Sequence, residues 1–293
     1  MARIAIVGVG AIGGVVAAVL QRAGGHEVVL CARRRLDGLT VETPSGPVVL
    51  DATVVTDPAE APAVDWVMVA TKAYDAAGAA KWLARLCAKG APVAVLQNGV
   101  EHRERFAPYV SVESILPVIV ECPVERRTAE KIVQRGPMHL KTPDSAEGRA
   151  FVALFAGTGV DALVVPDFTT VAWRKLCHNA AGVLPTLLLQ PAGVMRREDI
   201  GEAVRQIVRE CIAVGRAEGA QLDDEVAEAV LAAYRASPVD SVNSLHADRL
   251  AGRPMEIDAR NGVIVRLGRK HGIPTPDNQM AVALLEAMVK RPE

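Results

Sequence analysis

Aromatic residues are scarce in this chain, which has three Trp, three Tyr and four Phe among 293 residues. Proteins that hold single-stranded nucleic acid stack bases on exposed rings, and this sequence has few rings to spare. A surplus of basic charge is also lacking, because 33 Lys and Arg residues face 34 Asp and Glu residues, for a formal net charge of −1. Binding to a polyanion requires such a surplus. The composition therefore argues against a nucleic-acid-binding protein.

The cysteines and histidines lack the spacings of a disulfide framework or a metal site. The five cysteines are odd in number, lie far apart and form no CxxC pair, which is typical of a reducing compartment. The six histidines form neither an HxH nor an HxxxH pair, so a metal cofactor is not expected. We expect a cytoplasmic protein without structural disulfides and without a bound metal.

Long uninterrupted apolar runs are missing as well. The longest apolar stretch, around residues 180–195, is broken by Pro185 and Pro191, so no segment is expected to span a bilayer. At the start of the chain, the apolar residues 4–7 lead into glycines and not into a signal-peptide cleavage site. Half of the residues are hydrophobic and 23% are charged, which suits a globular protein of about two folding units.

A glycine-rich turn between a predicted strand and a predicted helix opens the chain. Residues 3–7, which are apolar after Arg3, are typical of a strand buried on both faces, and residues 15–22 have a helical pattern. Between them, the first glycine permits a tight turn, the second admits a pyrophosphate, and the third lets helix and strand pack closely. A glycine-rich turn of another α/β protein is the less favoured interpretation. The motif predicts a dinucleotide-binding, Rossmann-type domain, with cofactor contacts at Gly8, Gly10, Ala11, Ile12 and Gly13.

The residues after the second predicted strand, at residues 26–31, indicate which nicotinamide dinucleotide is bound. NAD-binding domains usually carry an acidic residue there, which holds the ribose 2′-hydroxyl. Here three arginines follow in positions 33–35, and the first acidic residue is Asp37. Guanidinium groups suit a 2′-phosphate, so the sequence favours NADP(H), with Arg33 as the best candidate contact. The alternative is a solvated basic loop.

Two further predicted strands, at residues 65–70 and 91–96, end next to polar residues. Ligands bind at the carboxyl ends of strands in an open α/β sheet. Lys72 and Asn98 lie at two such ends, so both are candidates for contacts with cofactor and substrate; for each, an ordinary turn residue is the alternative. Antiparallel strands between residues 111 and 142 are expected to complete the sheet.

From about Asp167 onward, the chain shows helical periodicity. The fold class predicted for the whole chain is an α/β Rossmann-type domain followed by an all-α domain. We expect residues 1–166 to bind NADP(H) and residues 167–293 to bind the substrate and carry the catalytic group, with a cleft between them. The amphipathic patterns that predict helices cover residues 200–212, residues 226–233 and, after a cap at Asp277, residues 280–288.

In the second half of the chain, few polar residues have a spacing that would let them contact one ligand together. Lys175 and Asn179 are four residues apart and so share a helix face, as do Ser244 and Asp248, and Glu256 follows. Each has an ordinary alternative, because helices commonly expose Lys and Glu, and a Ser or Asp can cap a helix or face solvent. Spacing alone therefore assigns catalysis to none of the five.

Taken together, these motifs resemble those of the ketopantoate reductases (2-dehydropantoate 2-reductases). The glycine motif is shared by many folds, whereas the Lys-x-x-x-Asn, Ser-x-x-x-Asp and Glu-Ile-Asp series is more specific. The resemblance implies NADPH-dependent reduction of the 2-keto group of ketopantoate to pantoate, a step of pantothenate and coenzyme A synthesis. The matching segments follow the family's order over nearly the whole chain: Gly8-x-Gly10-x-x-Gly13, Lys72, Gln97-Asn98-Gly99, Trp173-x-Lys175-Leu176-x-x-Asn179, Ser244-Leu245-x-x-Asp248, Glu256-Ile257-Asp258-x-x-Asn261-Gly262 and His271-Gly272-Ile273-x-Thr275-Pro276.

The resemblance also implies roles for individual residues. Lys175 is then the general acid that protonates the alkoxide formed by hydride transfer. Glu256 is then the carboxylate that holds the substrate hydroxyl or the lysine. The implied substrate contacts are Asn98, Asn179, Ser244 and Asp248. The implied cofactor contacts are Gly8, Gly10, Ala11, Ile12, Gly13, Arg33, Lys72, Asn98 and Glu256.

Two positions depart from the family pattern, because Val183 and Ala192 stand where the family often has asparagines that face the substrate. Their absence removes hydrogen bonds that a hydroxylated substrate could use. Two alternatives therefore stay open: a paralogue that reduces a different, more apolar 2-keto acid, and a non-catalytic NADP(H)-binding regulator. The apolar helical half could supply the interface of a homodimer.

Overall fold

The computed structural model describes residues 1–36 and 38–289, so Asp37 and residues 290–293 lie outside the described residues. The chain divides into two compact units, Met1–Phe168 and Thr169–Glu293. The assignment of cofactor binding to the first part and of substrate binding to the second stays a prediction. Within the described residues, no helix is both long enough and apolar enough to cross a membrane.

The first unit contains all thirteen strands of the described chain. Four helices connect or flank them, and α1 begins directly after the glycine-rich turn. The elements in chain order are β1 (Arg3–Val7), α1 (Ala11–Ala23), β2 (Glu27–Cys31), β3 (Thr40–Thr43), β4 (Gly46–Val49), β5 (Thr53–Val55), β6 (Trp66–Val69), α2 (Ala76–Leu86), β7 (Val93–Val95), α3 (His102–Phe106), β8 (Ile115–Pro117), β9 (Ile119–Glu121), β10 (Val124–Arg126), β11 (Lys131–Gln134), β12 (His139–Pro143), α4 (Ala146–Ala153) and β13 (Asp161–Val165).

Six strands form a parallel sheet in the order β5-β2-β1-β6-β7-β8. In β1, Ile4 and Ile6 belong to one buried cluster and Ala5 and Val7 to another, as the two-residue period of a strand requires. All four are at most 1% exposed, so the prediction of a strand buried on both faces is confirmed. Strand β1 pairs with β2 on one side and with β6 on the other, so the direction of the strand order changes at β1. Ligands of such sheets bind at the carboxyl ends of the strands at this switch point.

Antiparallel pairs do form between residues 111 and 142, as predicted, because β10 pairs with β11 and β9 with β12. The prediction that these strands complete the sheet is wrong. The apolar strand β8 does extend the sheet, but it pairs parallel with β7. The other strands of this region join two separate sheets with the orders β10-β11-β3-β4 and β13-β12-β9, and each of these sheets contains one parallel pair. Those strands are mostly half-buried, which suits covering layers better than the interior of a sheet.

The sheet that contains β10 and β11 packs against α1. Ile132 of β11 is fully buried and belongs to the same cluster as Val15 and Val16 of α1. The contact is so close that a Cβ on Gly14 would lie 2.2 Å from the Cδ1 atom of Ile132. Helix α1 therefore lies between the parallel sheet and this small sheet.

The described residues of the second unit form helices joined by loops and contain no strand. Its longest helix confirms the predicted amphipathic pattern, with Val204, Ile207, Val208 and Cys211 buried. The helices are α5 (Phe168–Ala181), α6 (Val183–Leu188), α7 (Glu198–Ala217), α8 (Glu225–Ala236), α9 (Ser244–Leu250), a π-helical turn (Asp258–Gly262), α10 (Val263–His271) and α11 (Pro276–Met288).

Two details of the predicted last helix are wrong. Asp277 does not cap α11; instead, the carboxylate of Glu210 accepts hydrogen bonds of 2.9 Å from the backbone N–H groups of both Asp277 and Asn278. A carboxylate from another helix thus satisfies N–H groups that a local cap would otherwise serve. In addition, only part of the expected apolar face is buried: Leu285 is fully buried, whereas Met280 and Leu284 are 58% and 45% exposed.

Candidate active site

The glycine-rich turn has the shape that a dinucleotide needs. Gly8 has a φ of +94°, and a Cβ there would lie 2.7 Å from the backbone nitrogen of Thr71. A Cβ on Gly13 would lie 2.2 Å from the carbonyl oxygen of Gly8, so helix α1 starts against the turn itself. A Cβ on Gly10, by contrast, meets no heavy atom of the described chain within 4 Å. The turn is thus closed on the protein side and open at Gly10, which fits a bound pyrophosphate.

The first turn of α1 leaves its N–H groups available to an anion. Gly10 is the N-cap and contributes no side chain, and the described first turn contains no acidic residue. Ala11 and Ile12, two of the predicted cofactor contacts, are the first residues of this helix. An uncapped helix N-terminus attracts phosphate groups through its N–H donors and the helix dipole.

The predicted basic cluster lies at the same end of the sheet. Strand β2 pairs parallel with β1, with Cys31 opposite Val7, so Arg33 follows the strand end next to the glycine-rich turn. The side chains of Arg33, Arg34 and Arg35 are exposed. Cys31 itself is buried, and burial raises the pKa of its thiol to about 12, so this residue is not a nucleophile at neutral pH.

Lys72 and Asn98 follow adjacent parallel strands, β6 and β7, and one side chain links their loops. The Nε2 atom of Gln97 donates to the hydroxyl of Thr71 at 2.9 Å and to the carbonyl of Lys72 at 3.2 Å. The buried ring of His102 in turn contacts the carbonyl of Gln97 at 3.0 Å. The structure therefore places Lys72 and Asn98 at the same end of the sheet, in loops that are held together by hydrogen bonds.

In the second unit, Lys175 and Asn179 lie on α5 as predicted, and both are half-buried. Two of the three residues between them, Leu176 and Cys177, are at most 1% exposed and anchor the helix in the core. An ammonium and an amide one turn apart on a rigid helix can contact one small ligand together.

Ser244 and Asp248 lie on the short helix α9 but differ in exposure. Ser244 is exposed, whereas Asp248 is 5% exposed and forms a 2.9 Å ion pair with Arg253. The helix is capped by Asn243, whose side chain accepts a hydrogen bond from the backbone N–H of His246 at 3.0 Å. The pairing with Arg253 supports the loop that leads to Glu256, while Ser244 is accessible to a ligand.

Glu256 is 5% exposed and precedes the π-helical turn. Arg260, in that turn, is 3% exposed, and its Nη2 atom donates to the carbonyl of Asn179 at 2.8 Å. Burial lowers the pKa of the Arg260 guanidinium, and the charges of Glu256 and Asp248 act in the opposite direction. Arg260 thus contacts the backbone of Asn179, 81 residues earlier, and interacts electrostatically with Asp248 and Glu256. π-helical turns are frequent at functional sites.

Family models match both units of the chain. The model described as ketopantoate reductase PanE/ApbA matches residues 4–147, and the model of the C-terminal part of the same family matches residues 167–289. The chain belongs to the ketopantoate reductase family. The resemblance inferred from the motifs, and the fold class expected with it, are therefore confirmed.

Individual members of the ketopantoate reductase family are similar over nearly full length. A 2-dehydropantoate 2-reductase of Caulobacter vibrioides is 48% identical, over 98% of this chain and 99% of that protein. The crystal structure of a 2-dehydropantoate 2-reductase from Geobacter metallireducens has a TM-score of 0.91 at 28% identity and covers 97% of this chain and 99% of that one. D-mandelate dehydrogenase with NADH and anilino(oxo)acetate has a TM-score of 0.89 at 23% identity, over 97% of both chains, and shares the fold.

Three residues support the candidate site of this ketopantoate reductase family member in ways that the sequence did not predict. They are Gln97, which links two loops, His102 and Arg260. Gln97 and His102 are five residues apart, and Arg260 acts on Asn179 across 81 residues. In the sequence they lie among other polar residues, as in Glu101-His102-Arg103, and only their burial in the structure distinguishes them. Asn261 of the Glu-Ile-Asp motif also has a structural explanation, because its Nδ2 atom donates to the carbonyl of Ala180 and to Asn278.

The two departures from the ketopantoate reductase pattern are both buried. Val183 is fully buried at the start of α6, and Ala192 is 6% exposed. Neither side chain carries a hydrogen-bonding group, so both positions contribute packing. Polar contacts between the second unit and a substrate must therefore come from its other residues.

His246 should make stability depend on pH. Its ring is 1% exposed, and both ring nitrogens lack a hydrogen-bond partner in the described structure. Burial, with a smaller effect of Arg249, lowers its pKa below 6.5. Because the unfolded chain then binds a proton more readily than the folded one, His246 should reduce stability as the pH falls from about 6.5 towards the folded pKa.

The test is a comparison of the free energy of unfolding by urea at pH 7.5 and pH 5.5 for the wild type and for His246→Met. We expect the variant to lose less stability on acidification than the wild type, since methionine has no proton to bind. An equal loss in the two proteins would contradict the assignment of this pH dependence to His246.

Proposed function

We propose that this protein reduces the 2-keto group of ketopantoate to the hydroxyl of pantoate with NADPH, in pantothenate and coenzyme A synthesis. The observation that carries this proposal is the 48% identity, over nearly the whole length of both chains, to a 2-dehydropantoate 2-reductase. The retained Lys175 and Asn179 on one helix supply the chemistry that such a reduction needs.

In the proposed reaction, the reduced nicotinamide supplies a hydride to the keto carbon when the cofactor is bound. The Nζ atom of Lys175 donates a proton to the carbonyl oxygen as negative charge develops there, and solvent later restores that proton. Glu256 holds the substrate hydroxyl or the lysine. Asn98, Asn179, Ser244 and Asp248 orient the substrate.

We assign the cofactor to the first unit and the substrate and the proton donor to the second, with the predicted boundary after residue 166. The open position at Gly10 and the uncapped start of α1 support this assignment. The proposed contacts are Gly8, Gly10, Ala11, Ile12, Gly13, Arg33, Lys72, Asn98 and Glu256.

Preference for the phosphorylated cofactor is a direct consequence of the basic cluster. No acidic residue lies between Cys31 and Asp37 to hold a ribose 2′-hydroxyl, whereas positions 33–35 are arginines. We expect kcat/KM for NADPH to exceed that for NADH by at least about tenfold, since charged hydrogen bonds of about 1.5–3 kcal/mol are gained by the 2′-phosphate. Initial rates with the two nucleotides test this; a preference for NADH would contradict it.

A panel of 2-keto acids separates the proposed function from its two alternatives. Ketopantoate turnover equal to or above that of every other acid supports the proposal. Turnover confined to acids without a hydroxyl, such as 2-ketoisovalerate, would instead identify a paralogue with an apolar preference, which the buried Val183 and Ala192 would explain. Tight NADPH binding with no turnover of any acid would indicate a regulator.

The cellular location and the oligomeric state belong to the same proposal. We place the protein in the cytoplasm, because its five cysteines are all free. We also propose a homodimer. The exposed apolar side chains of Met280, Leu284 and Met288, spaced four residues apart on α11, support an interface there.

A further inference from the structure

Arg126 reaches from the small sheet onto the glycine-rich turn. It is the last residue of β10 and is half-buried. Its Nη1 atom donates to the carbonyl of Val9, its Nη2 atom to the carbonyl of Ala129, and its Nε atom to the carbonyl of Thr128 at 3.1 Å. Because a guanidinium has five N–H groups, one on each Nη atom is left for another acceptor.

The packing of the small sheet explains this position. Arg126 lies opposite Ile132 in the antiparallel pair of β10 and β11, and Ile132 packs against Gly14 in the first turns of α1. The end of β10 is therefore held over the start of α1. The side chain of Arg126 spans the short distance from there to Val9, between two glycines of the turn.

The charge of Arg126 is not neutralised by a carboxylate within the described structure. The nearby acid, Glu125, instead accepts hydrogen bonds of 2.6 Å from both Arg127 and Arg135. Burial lowers the pKa of Arg126, and the positive charge of Arg34 lowers it further. Two positive side chains thus belong to the region beside the positive end of α1, Arg126 through its contact with Val9 and Arg34 after the end of β2. An anion would stabilise this arrangement.

We propose that Arg126, together with Arg34, binds the 2′-phosphate of NADP(H) and so contributes to the choice between NADPH and NADH. The proposal rests on the function proposed above. Arg34 follows the strand end where the ribose of a dinucleotide lies, whereas the pyrophosphate lies at the start of the helix. Arg126 reaches the same region through Val9, because the turn is joined to the end of β2 by the hydrogen bond of 3.1 Å from the Gly8 N–H to the carbonyl of Cys31. Two guanidinium groups on this side of the turn fit the 2′-phosphate.

The test compares the dissociation constants of NADPH and NADH for the wild type, Arg126→Gln, Arg34→Gln and the control Arg127→Gln. Arg127 is adjacent and exposed but is paired with Glu125. We expect Arg126→Gln to weaken NADPH binding by about 10- to 100-fold, with NADH changed less than about twofold. Arg34→Gln should act in the same direction, and Arg127→Gln should change neither constant.

Equal weakening of NADPH and NADH in Arg126→Gln would overturn the proposal, because Arg126 would then only brace the turn. Unchanged binding of both would overturn it as well. A wild type that binds neither nucleotide would instead contradict the proposed function as a whole, so the two failures are distinguishable.

Two further measurements test the proposal; the first does not need Arg126→Gln, and the second applies where that variant folds. Adenosine 2′,5′-bisphosphate and 5′-AMP differ only in the 2′-phosphate, so Arg34→Gln, a change at an exposed position, should weaken the first and not the second. In a double-mutant cycle, the effects of Arg34→Gln and Arg126→Gln on the binding of the bisphosphate should be non-additive. Fully additive effects would indicate that the two arginines do not share one phosphate.

Discussion

Replacement of Lys175 by Ala is expected to lower kcat by about 10²–10⁴-fold while NADPH binding is retained, because general acid catalysis contributes that much to a rate. Lys175 is half-buried on α5, a helix that is anchored by the fully buried Cys177 and by Leu176. The alanine variant should therefore fold normally. Steady-state rates with ketopantoate and fluorescence titration with NADPH give the two quantities.

The neighbouring Arg174 provides the control, because it is exposed on the same helix. Arg174→Ala should keep kcat close to the wild-type value. Addition of a small primary amine should restore part of the activity of Lys175→Ala and leave that of Arg174→Ala unchanged, since only the first variant lacks a proton donor. If Lys175→Ala turns over at a near-normal rate, another group supplies the proton.

A methyl group at either of two glycines of the same turn should impair cofactor binding, but only one of the two should destabilise the fold. Gly13→Ala places a Cβ 2.2 Å from the carbonyl oxygen of Gly8, so helix or turn must move. We expect it to lower the free energy of unfolding by about 1–3 kcal/mol or more and to abolish cofactor binding. Gly10→Ala meets no described atom within 4 Å and should fold with nearly wild-type stability.

The difference between the two variants is the diagnostic result. Because Gly10 faces the space assigned to the pyrophosphate, Gly10→Ala should raise the dissociation constant of NADPH by about tenfold or more. Urea denaturation of the cofactor-free protein measures stability, and nucleotide titration measures affinity. Unimpaired NADPH binding in Gly10→Ala would show that the cofactor does not approach this turn.

Much of the first unit was predictable because its signals are local. The steric demands at Gly8 and Gly13 follow from a strand, a tight turn and a helix that are contiguous in sequence. The order of the small strands was not predictable. Strand β11 pairs parallel with β3, about ninety residues earlier. Such a pairing depends on how the small sheet packs against α1, which is a long-range contact.

The site residues divide in the same way. Lys175 and Asn179 share a face because one turn of helix separates them, so their spacing alone predicted it. The closeness of Asn179 to Arg260, 81 residues later, depends on the packing of α5 against the π-helical turn. The capping of α11 by Glu210 is equally non-local, and the local candidate Asp277 was wrong for that reason.

The sequence by itself determined the family, the fold class and the identity of the residues that can transfer a proton or admit a phosphate. These properties depend on residue type and short spacing. Only the tertiary structure decided which charged groups meet. Arg126 contacts Val9 across 117 residues, and this contact depends on the packing of the small sheet on α1 at Gly14. Contacts of that kind depend on strand register and close packing, which no local pattern encodes.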